Sequence, residues 1–349
     1  MSGMGCAAAP ARGRPDLTQA FVVYAAGLVQ GLTLVSFPAL SSVLKQMHGL
    51  TDAQYGAIFL PQVSAAVIGA LAGAALSHSM SLQRLLSLAL LCNLLSQLAL
   101  TCSAGCGGAD GYMLVLLGTT CLGLGFGLGG APLNGLPPRL FPRRAGMAVL
   151  GVHTALGLGL TAGAPLASWL ASAGRWDGLP LLACACAAAL ALGAWSLPAL
   201  ASETQVKSSA SVRPASDVAF WVFVLVAVLY AFAEGTFANW AVIYLKEVKQ
   251  LPLAAAAWAL SVFWGALVLG RLLCTGLLAR MPAMVLWASL PPTMLVAFLL
   301  LPLAHGTTQS IAVFALAGLA CSAFLPITKD PPPTPNMSAA VSMDATHAE

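Results

Sequence analysis

Charge is nearly absent from this chain: 15 Lys and Arg and 11 Asp and Glu are spread over 349 residues, 7% in all. An ordinary soluble domain carries roughly 25% charged residues, so a surface solvated throughout by water is excluded. Hydrophobic residues make up 59%, and the solvent for most of the chain is lipid. Metal-ligand spacing is also lacking. Of the nine cysteines, Cys92, Cys121, Cys184, Cys186, Cys274 and Cys321 stand in apolar segments as small hydrophobes, and only Cys102 and Cys106 flank a loop. No HExxH, GxSxG, Walker or zinc pattern occurs, so neither an enzyme activity nor a cofactor is expected. The glycine run GLGFGLGG at 123–130 is not a nucleotide loop, because no Lys-Ser/Thr follows and the run lies within an apolar stretch. Gly123–Gly127, Gly125–Gly129, Gly69–Gly73 and Gly159–Gly163 are instead small-xxx-small positions that predict close helix packing.

What is present is a series of apolar runs. A spanning helix needs about 20 apolar residues, and the punctuation by Gly, Pro and charge gives ten segments: 18–44, 53–76, 82–103, 111–136, 145–172, 178–200, 218–245, 253–278, 282–304 and 308–326. Arg12 and Arg14 precede the first, which is too long for a signal-peptide core and lacks a cleavage site. Alternate connections differ in basic residues. One side collects Arg12, Arg14, Arg84, Arg139, Arg143, Arg144, Lys207, Arg213, Arg280 and Lys329, and the other Lys45, Arg175, Lys246 and Lys249. By the positive-inside rule both termini are cytoplasmic, and the net charge of +4 needs no nucleic-acid partner. After six segments comes ASETQVKSSASVRPASD at 201–217, a flexible polar linker. The expected organisation is a six-helix bundle over 1–200, the linker, a four-helix bundle over 218–327 and a disordered cytoplasmic tail over 328–349. YAAGLVQG (24–31) aligns with YAFAEG (230–235), which suggests that the halves are repeats.

Inside these runs polar residues are few. Glu234 stands in YAFAEGTFANW, in a stretch uncharged otherwise from Val218 to Leu245. A charge near the bilayer centre costs at least about 2.5–3.5 kcal/mol, so such residues face a bundle interior or a water-filled cavity. Tyr230 lies four residues before it on the same helix face. Two readings stand: a substrate or proton site, and a structural hydrogen bond to another helix. Gln30, Gln62, Asn134, His153 and Asn239 each carry the same pair of readings, path lining or interhelical bond. His153 adds a group that titrates near neutral pH. With about 1.5 Å of rise per residue, Arg271 differs in depth from Glu234 by about 12 Å, too much for a direct pair on straight helices. It is expected to snorkel toward the cytoplasmic face or to take part in a closure there.

Six helices, a linker and a second set resemble the major facilitator superfamily. YAFAEGTFANWAVIYL (230–245), SVFWGALVLGRLL (261–273) and LGVHTALGLGLTAGAPL (150–166) are similar to the seventh, eighth and fifth helices of its fucose-permease-like branch. The resemblance spans about residues 18–327. It implies an all-α two-bundle fold and alternating access about a central site lined chiefly by helices one, four, seven and ten. By that resemblance Glu234, Gln30 and Asn134 lie on cavity-lining helices, and Arg271 matches the arginine of the eighth helix.

The chain departs from this pattern in three places. GAALSHSMSLQR (73–84) has Ser77 and His78 where the family's cytoplasmic signature leads with other residues. The first and fourth helices lack the carboxylates of the branch's sugar–proton symporters, which leaves Glu234 as the single membrane carboxylate. KDPPPTPNMSAAVSMDATHAE (329–349) cannot span a membrane, so the family's eleventh and twelfth helices have no counterpart, as in a truncated or frameshifted product. The resulting expectation is a multi-pass secondary transporter of the inner (plasma) membrane, a symporter of a small polar organic solute, a sugar among the candidates, with the proton as second partner. The alternatives are an exporter of apolar compounds and a non-transporting membrane scaffold. A reporter active only outside the cell is expected to be silent when fused after Ala348 and active near Gly107; the reverse pattern contradicts the cytoplasmic termini, and the same result at both sites contradicts the ten-helix count.

Overall fold

The computed structural model describes residues 16–200, 218–277, 280 and 282–322. Among them the regular structure is helical. Eight helices there are long and apolar enough to cross a membrane, and two shorter apolar helices, Ala288–Leu303 and Gly306–Cys321, follow. In chain order the α-helices are α1 (Leu17–Ala39), α2 (Ser41–His48), α3 (Asp52–Ala57), α4 (Phe59–Leu76), α5 (Leu82–Cys102), α6 (Gly108–Leu140), α7 (Ala145–Ser172), α8 (Gly178–Ser196), α9 (Val218–Ile243), α10 (Leu253–Leu277), α11 (Ala283–Leu303) and α12 (Gly306–Cys321). In hydrocarbon each backbone polar group needs an internal partner, and a helix supplies it within one segment.

Several ends have a local cause. Asp16 Oδ1 accepts from the backbone N–H of Thr18 at 2.9 Å and starts α1. Thr51 and Gln54 form a capping box at α3. The sixth apolar segment stops at Ser196 rather than running to 200, because Leu197 is extended (φ −72°, ψ 139°) ahead of Pro198. The first and second segments are each broken once. Pro38 removes a backbone donor just before α1 ends, and Pro61 does the same in the first turn of α4. The fourth helix is longer than its segment. It continues through Pro132, Pro137 and Pro138 to Leu140, since neighbouring groups in a membrane bundle relieve the loss of a backbone hydrogen bond. After α9 the backbone widens into a π-turn over Tyr244–Val248, and Gln250 closes it in the left-handed region at φ 56°.

The chain divides into two compact units. Among the described residues the first comprises 16–34, 47–159 and 177–200, and the second 35–46, 160–176, 218–277, 280 and 282–322. In the first unit, Val22, Val23 and Ala26 of α1 pack with Leu86 and Leu90 of α5, Leu133 and Leu136 of α6 and Ala191 and Ala194 of α8. The glycine pairs do what their spacing predicts. A Cβ on Gly69 would stand 2.6 Å from the Leu124 carbonyl oxygen and one on Gly73 3.2 Å from that of Leu128, while one on Gly127 would run into the Ala66 carbonyl. Backbones of α4 and α6 therefore meet with no side chain between them. Gly159 of α7 meets the Leu28 carbonyl of α1 in the same way. In the second unit, Phe237 of α9 is the hub of an aromatic cluster. It stacks with Phe263 at 6.1 Å and meets Phe298 and Phe314 edge-on at 4.7 Å and 5.3 Å.

Gly127→Val is expected to destabilise the first unit by about 1–3 kcal/mol through overpacking. Gly130→Val, where a Cβ meets nothing within 4 Å, is expected to change the detergent melting temperature little. Equal losses in the two variants would contradict the contact described.

Candidate functional site

The second unit carries the ionisable group. α9 is apolar along its length apart from a short polar series, and its 3.6-residue period sets Tyr230 one turn before Glu234. The Tyr230 hydroxyl is hydrogen-bonded to the Glu234 carboxyl and lies 2.7 Å from the carbonyl oxygen of Cys321. Cys321 is the last residue of α12, where carbonyls have no partner further along the helix. The next carbonyl, of Ser322, accepts from Arg271 Nε of α10 at 3.1 Å. Side chains from two helices thus hold the end of a third. The approach is close because α10 has a glycine where α12 ends: a Cβ on Gly270 would collide with the Ser322 side chain. Gly318 is pressed on the Phe263 carbonyl in the same manner.

The depth offset between Arg271 and Glu234 has a clear counterpart. Among the described residues the two make no ion pair, but both side-chain systems end on adjacent carbonyls at the end of α12. Arg271 is half-buried and its Nε is spent on Ser322. Asn239 lies further along α9, half-buried, with Nδ2 3.8 Å from the position of a Cβ on Gly235. Beside Tyr230 is a cavity of about 390 Å³ lined by Val226, Leu229, Ala233, Leu290, Met294, Phe298 and Cys321 among others. Apart from the Tyr230 hydroxyl this lining is apolar. Glu234 is not among the lining residues.

In the first unit two of the sequence candidates meet. His153 Nε2 of α7 is 3.1 Å from Asn134 Oδ1 of α6, and Asn134 Nδ2 donates to the Gly130 carbonyl at 2.8 Å. An amide oxygen only accepts, so the imidazole proton of this bond sits on Nε2. Asn134 is exposed and His153 half-buried, so the pair is accessible. Gln30 is placed differently. It is 2% exposed, its Oε1 accepts from Asn93 Nδ2 at 2.9 Å, and its Nε2 donates back at 3.4 Å. This closed amide pair ties α1 to α5. Gln62 Oε1 is buried without a hydrogen-bond partner, and its backbone carbonyl lies against Gly123.

Three functional groups were not among the sequence candidates. Asn93 is fully buried and completes the Gln30 pair; its signal was a polar residue in the middle of an apolar helix. Lys45 and Glu247 form an ion pair at 2.6 Å. Lys249 Nζ donates to the Pro302 and Ala304 carbonyls at 2.6 Å and 2.9 Å, where its charge also faces the negative end of α11. The π-turn and Gln250 aim these side chains, and no residue pattern announced the turn.

The long apolar helices, the close small-residue contacts and the buried polar links define a polytopic helical membrane protein. Residues 20–346 match the family profile described as Major Facilitator Superfamily, and the chain belongs to that family. No curated protein matches its sequence. Among solved structures it is similar to a bacterial homologue of the human lysosomal transporter Spinster in an inward-facing, occupied conformation, at TM-score 0.70 and 14% identity over 95% of this chain and 78% of that one. It is also similar to a D-xylose–proton symporter, at TM-score 0.66 and 14% identity over 90% and 82%. A third is the fucose:proton symporter FucP of E. coli, at 0.59 and 16% over 90% and 84%. These likenesses show the shared fold.

Lys249→Met removes two charge-assisted bonds, each worth about 1.5–3 kcal/mol, whereas Glu247→Gln weakens a partly exposed pair worth about 0–1 kcal/mol. The first is expected to lower the melting temperature more than the second, and to do so in high salt as well; the reverse order contradicts the assignment.

Proposed function

We propose that this chain is a secondary active transporter of the inner (plasma) membrane that moves a small polar organic solute, a sugar among the candidates, by alternating access. Glu234 is the proton-coupling group, and both termini are cytoplasmic. Residues 1–200 and 218–327 form the two bundles about the linker 201–217, with the tail 328–349 beyond them. The observation that carries this reading is Glu234 itself. A carboxyl in a membrane helix, hydrogen-bonded to Tyr230, is a costly arrangement that a purely apolar helix contact does not need. Asn134 and His153, exposed and half-buried, offer hydrogen bonds to solute hydroxyls. Asn239 and Tyr230 extend the pathway in the second bundle, and Arg271 belongs to the cytoplasmic closure. Gln30 supports the site from the bundle interior. Proton symporters of D-xylose and fucose share the fold, which supports the solute class.

One observation favours a second reading. The cavity beside Tyr230 is apolar and suits an exporter of apolar compounds. Uptake of radiolabelled D-xylose and L-fucose into proteoliposomes separates the two. Uptake is expected to rise as the external pH falls, because the proton enters with the solute. In Glu234→Gln, whose amide keeps hydrogen-bonding capacity without ionising, the pH dependence is expected to vanish and accumulation to fall to simple equilibration. An unchanged pH profile in that variant contradicts the coupling role; transport of a lipophilic dye with no sugar uptake favours the exporter.

A further inference from the structure

The Tyr230 hydroxyl has one hydrogen and two acceptors within reach, the Glu234 carboxyl and the Cys321 carbonyl. It cannot donate to both. We infer that Tyr230 is a positioning residue that passes the protonation state of Glu234 to the end of α12. This inference rests on the reading that Glu234 exchanges a proton during transport, and it names the structural element that responds.

The two states follow from counting hydrogens. With Glu234 protonated, its O–H donates to Tyr230 Oη, and the Tyr230 O–H is then free to donate to the Cys321 carbonyl. Every polar atom of the group has a partner, and α9 is tied to α12. When Glu234 releases its proton to water, the carboxylate is acceptor-only. The Tyr230 O–H turns to it, and the Cys321 carbonyl loses its donor. No heavy-atom bond forms or breaks; one proton leaves, the hydrogen bond it made to Tyr230 Oη is lost with it, and the Tyr230 hydrogen bond changes acceptor. Cys321 terminates α12, and among the described residues no backbone N–H takes over at its carbonyl. Among them, the end of α12 is then held across helices by Arg271, through the Ser322 carbonyl.

Few other groups compete for this role. Along α9 the titratable residues are Tyr230 and Glu234, α11 has none in its sequence, and α12 has Cys321. α10 contributes Arg271 and Cys274. Arg271 Nε is engaged with Ser322, and Cys274 Sγ stands 4.0 Å from Ser322 Oγ. Cys321 Sγ faces Met294 Sδ at 4.0 Å, so the thiol points to α11 while its carbonyl faces Tyr230. Among the described residues, Tyr230 is the side chain seen to touch both the carboxyl and the α12 end.

Two measurements on the full chain in lipid nanodiscs test this without a solute. Infrared titration from about pH 5 to about pH 9 follows the protonated carboxyl band of Glu234, assigned by its absence in Glu234→Gln. Amide hydrogen exchange of the 306–322 peptide, corrected for intrinsic rates, is recorded over the same range. As the band disappears in wild type, exchange in the last turn of α12 is expected to rise about two- to tenfold, the equivalent of one ordinary hydrogen bond. In Tyr230→Phe the band is expected to titrate at a shifted frequency while exchange stays flat. If the band titrates in wild type and exchange does not change, or if Tyr230→Phe shows the wild-type rise, the relay is overturned and the coupling reading survives. If no band titrates, Glu234 exchanges no proton and the coupling reading falls together with the relay.

Discussion

In hydrocarbon there is no water to complete a hydrogen bond, so a polar group in a membrane helix is stabilised by a partner inside the protein or by a wet surface. The first unit follows the rule with the Gln30–Asn93 amide pair, in which each side chain donates to and accepts from the other. The second follows it with Tyr230, Arg271 and the last carbonyls of α12. The same rule explains why helix ends are the reactive places of the fold. A terminal carbonyl is a strong acceptor that the helix cannot satisfy, and both Lys249 at α11 and Tyr230 at α12 are recruited there. Glycine makes the closest helix contacts. Removal of the Cβ at Gly69, Gly73, Gly127 and Gly159 brings backbones into contact, which holds helices together where apolar side chains have no preference for protein over lipid.

Glu234 is the exception, because in the proposed relay its pairing is conditional. There Tyr230 satisfies it in either protonation state, but only one of those states also satisfies Cys321. A carboxyl that changes its surroundings when it changes its charge is what a proton-driven cycle requires. A carboxyl kept only for rigidity would gain from partners that are the same in both states. In that proposal the electrostatic cost of a membrane carboxylate is joined to the mechanics of a helix terminus, within one unit and through one hydroxyl.

Much of the fold was legible because hydropathy and helix length are set by the bilayer itself. Among the described residues each of the ten apolar segments is helical, the first two as a pair of helices each, and 82–103 differs from α5 by a single residue. What the segments hid were backbone events caused by single prolines: the ends at Ala39 and Ala57 and the passage of α6 through Pro137 and Pro138. Proline reads the same in a sequence whether the surrounding bundle tolerates it or not. At the site, Glu234 and Tyr230 were visible from their rarity and their spacing. The links across helices were not, since pairing depends on rotation and depth that composition does not encode. Gln30 and Asn134 looked equivalent as lone polar residues, yet one closes on Asn93 in the interior and the other meets His153 at an accessible face. The estimate from helical rise separated Arg271 from Glu234 but missed that the end of α12 lies between them.

The central claim is that solute and proton move together through Glu234. The most direct measurement is the pH of a weakly buffered medium around proteoliposomes when D-xylose or L-fucose is added without any imposed gradient. Wild type is expected to alkalinise the medium as protons enter with the sugar, and Glu234→Gln to give no pH change while still exchanging sugar across the bilayer. Sugar entry in wild type with no alkalinisation, or the same alkalinisation in the variant, would contradict the account.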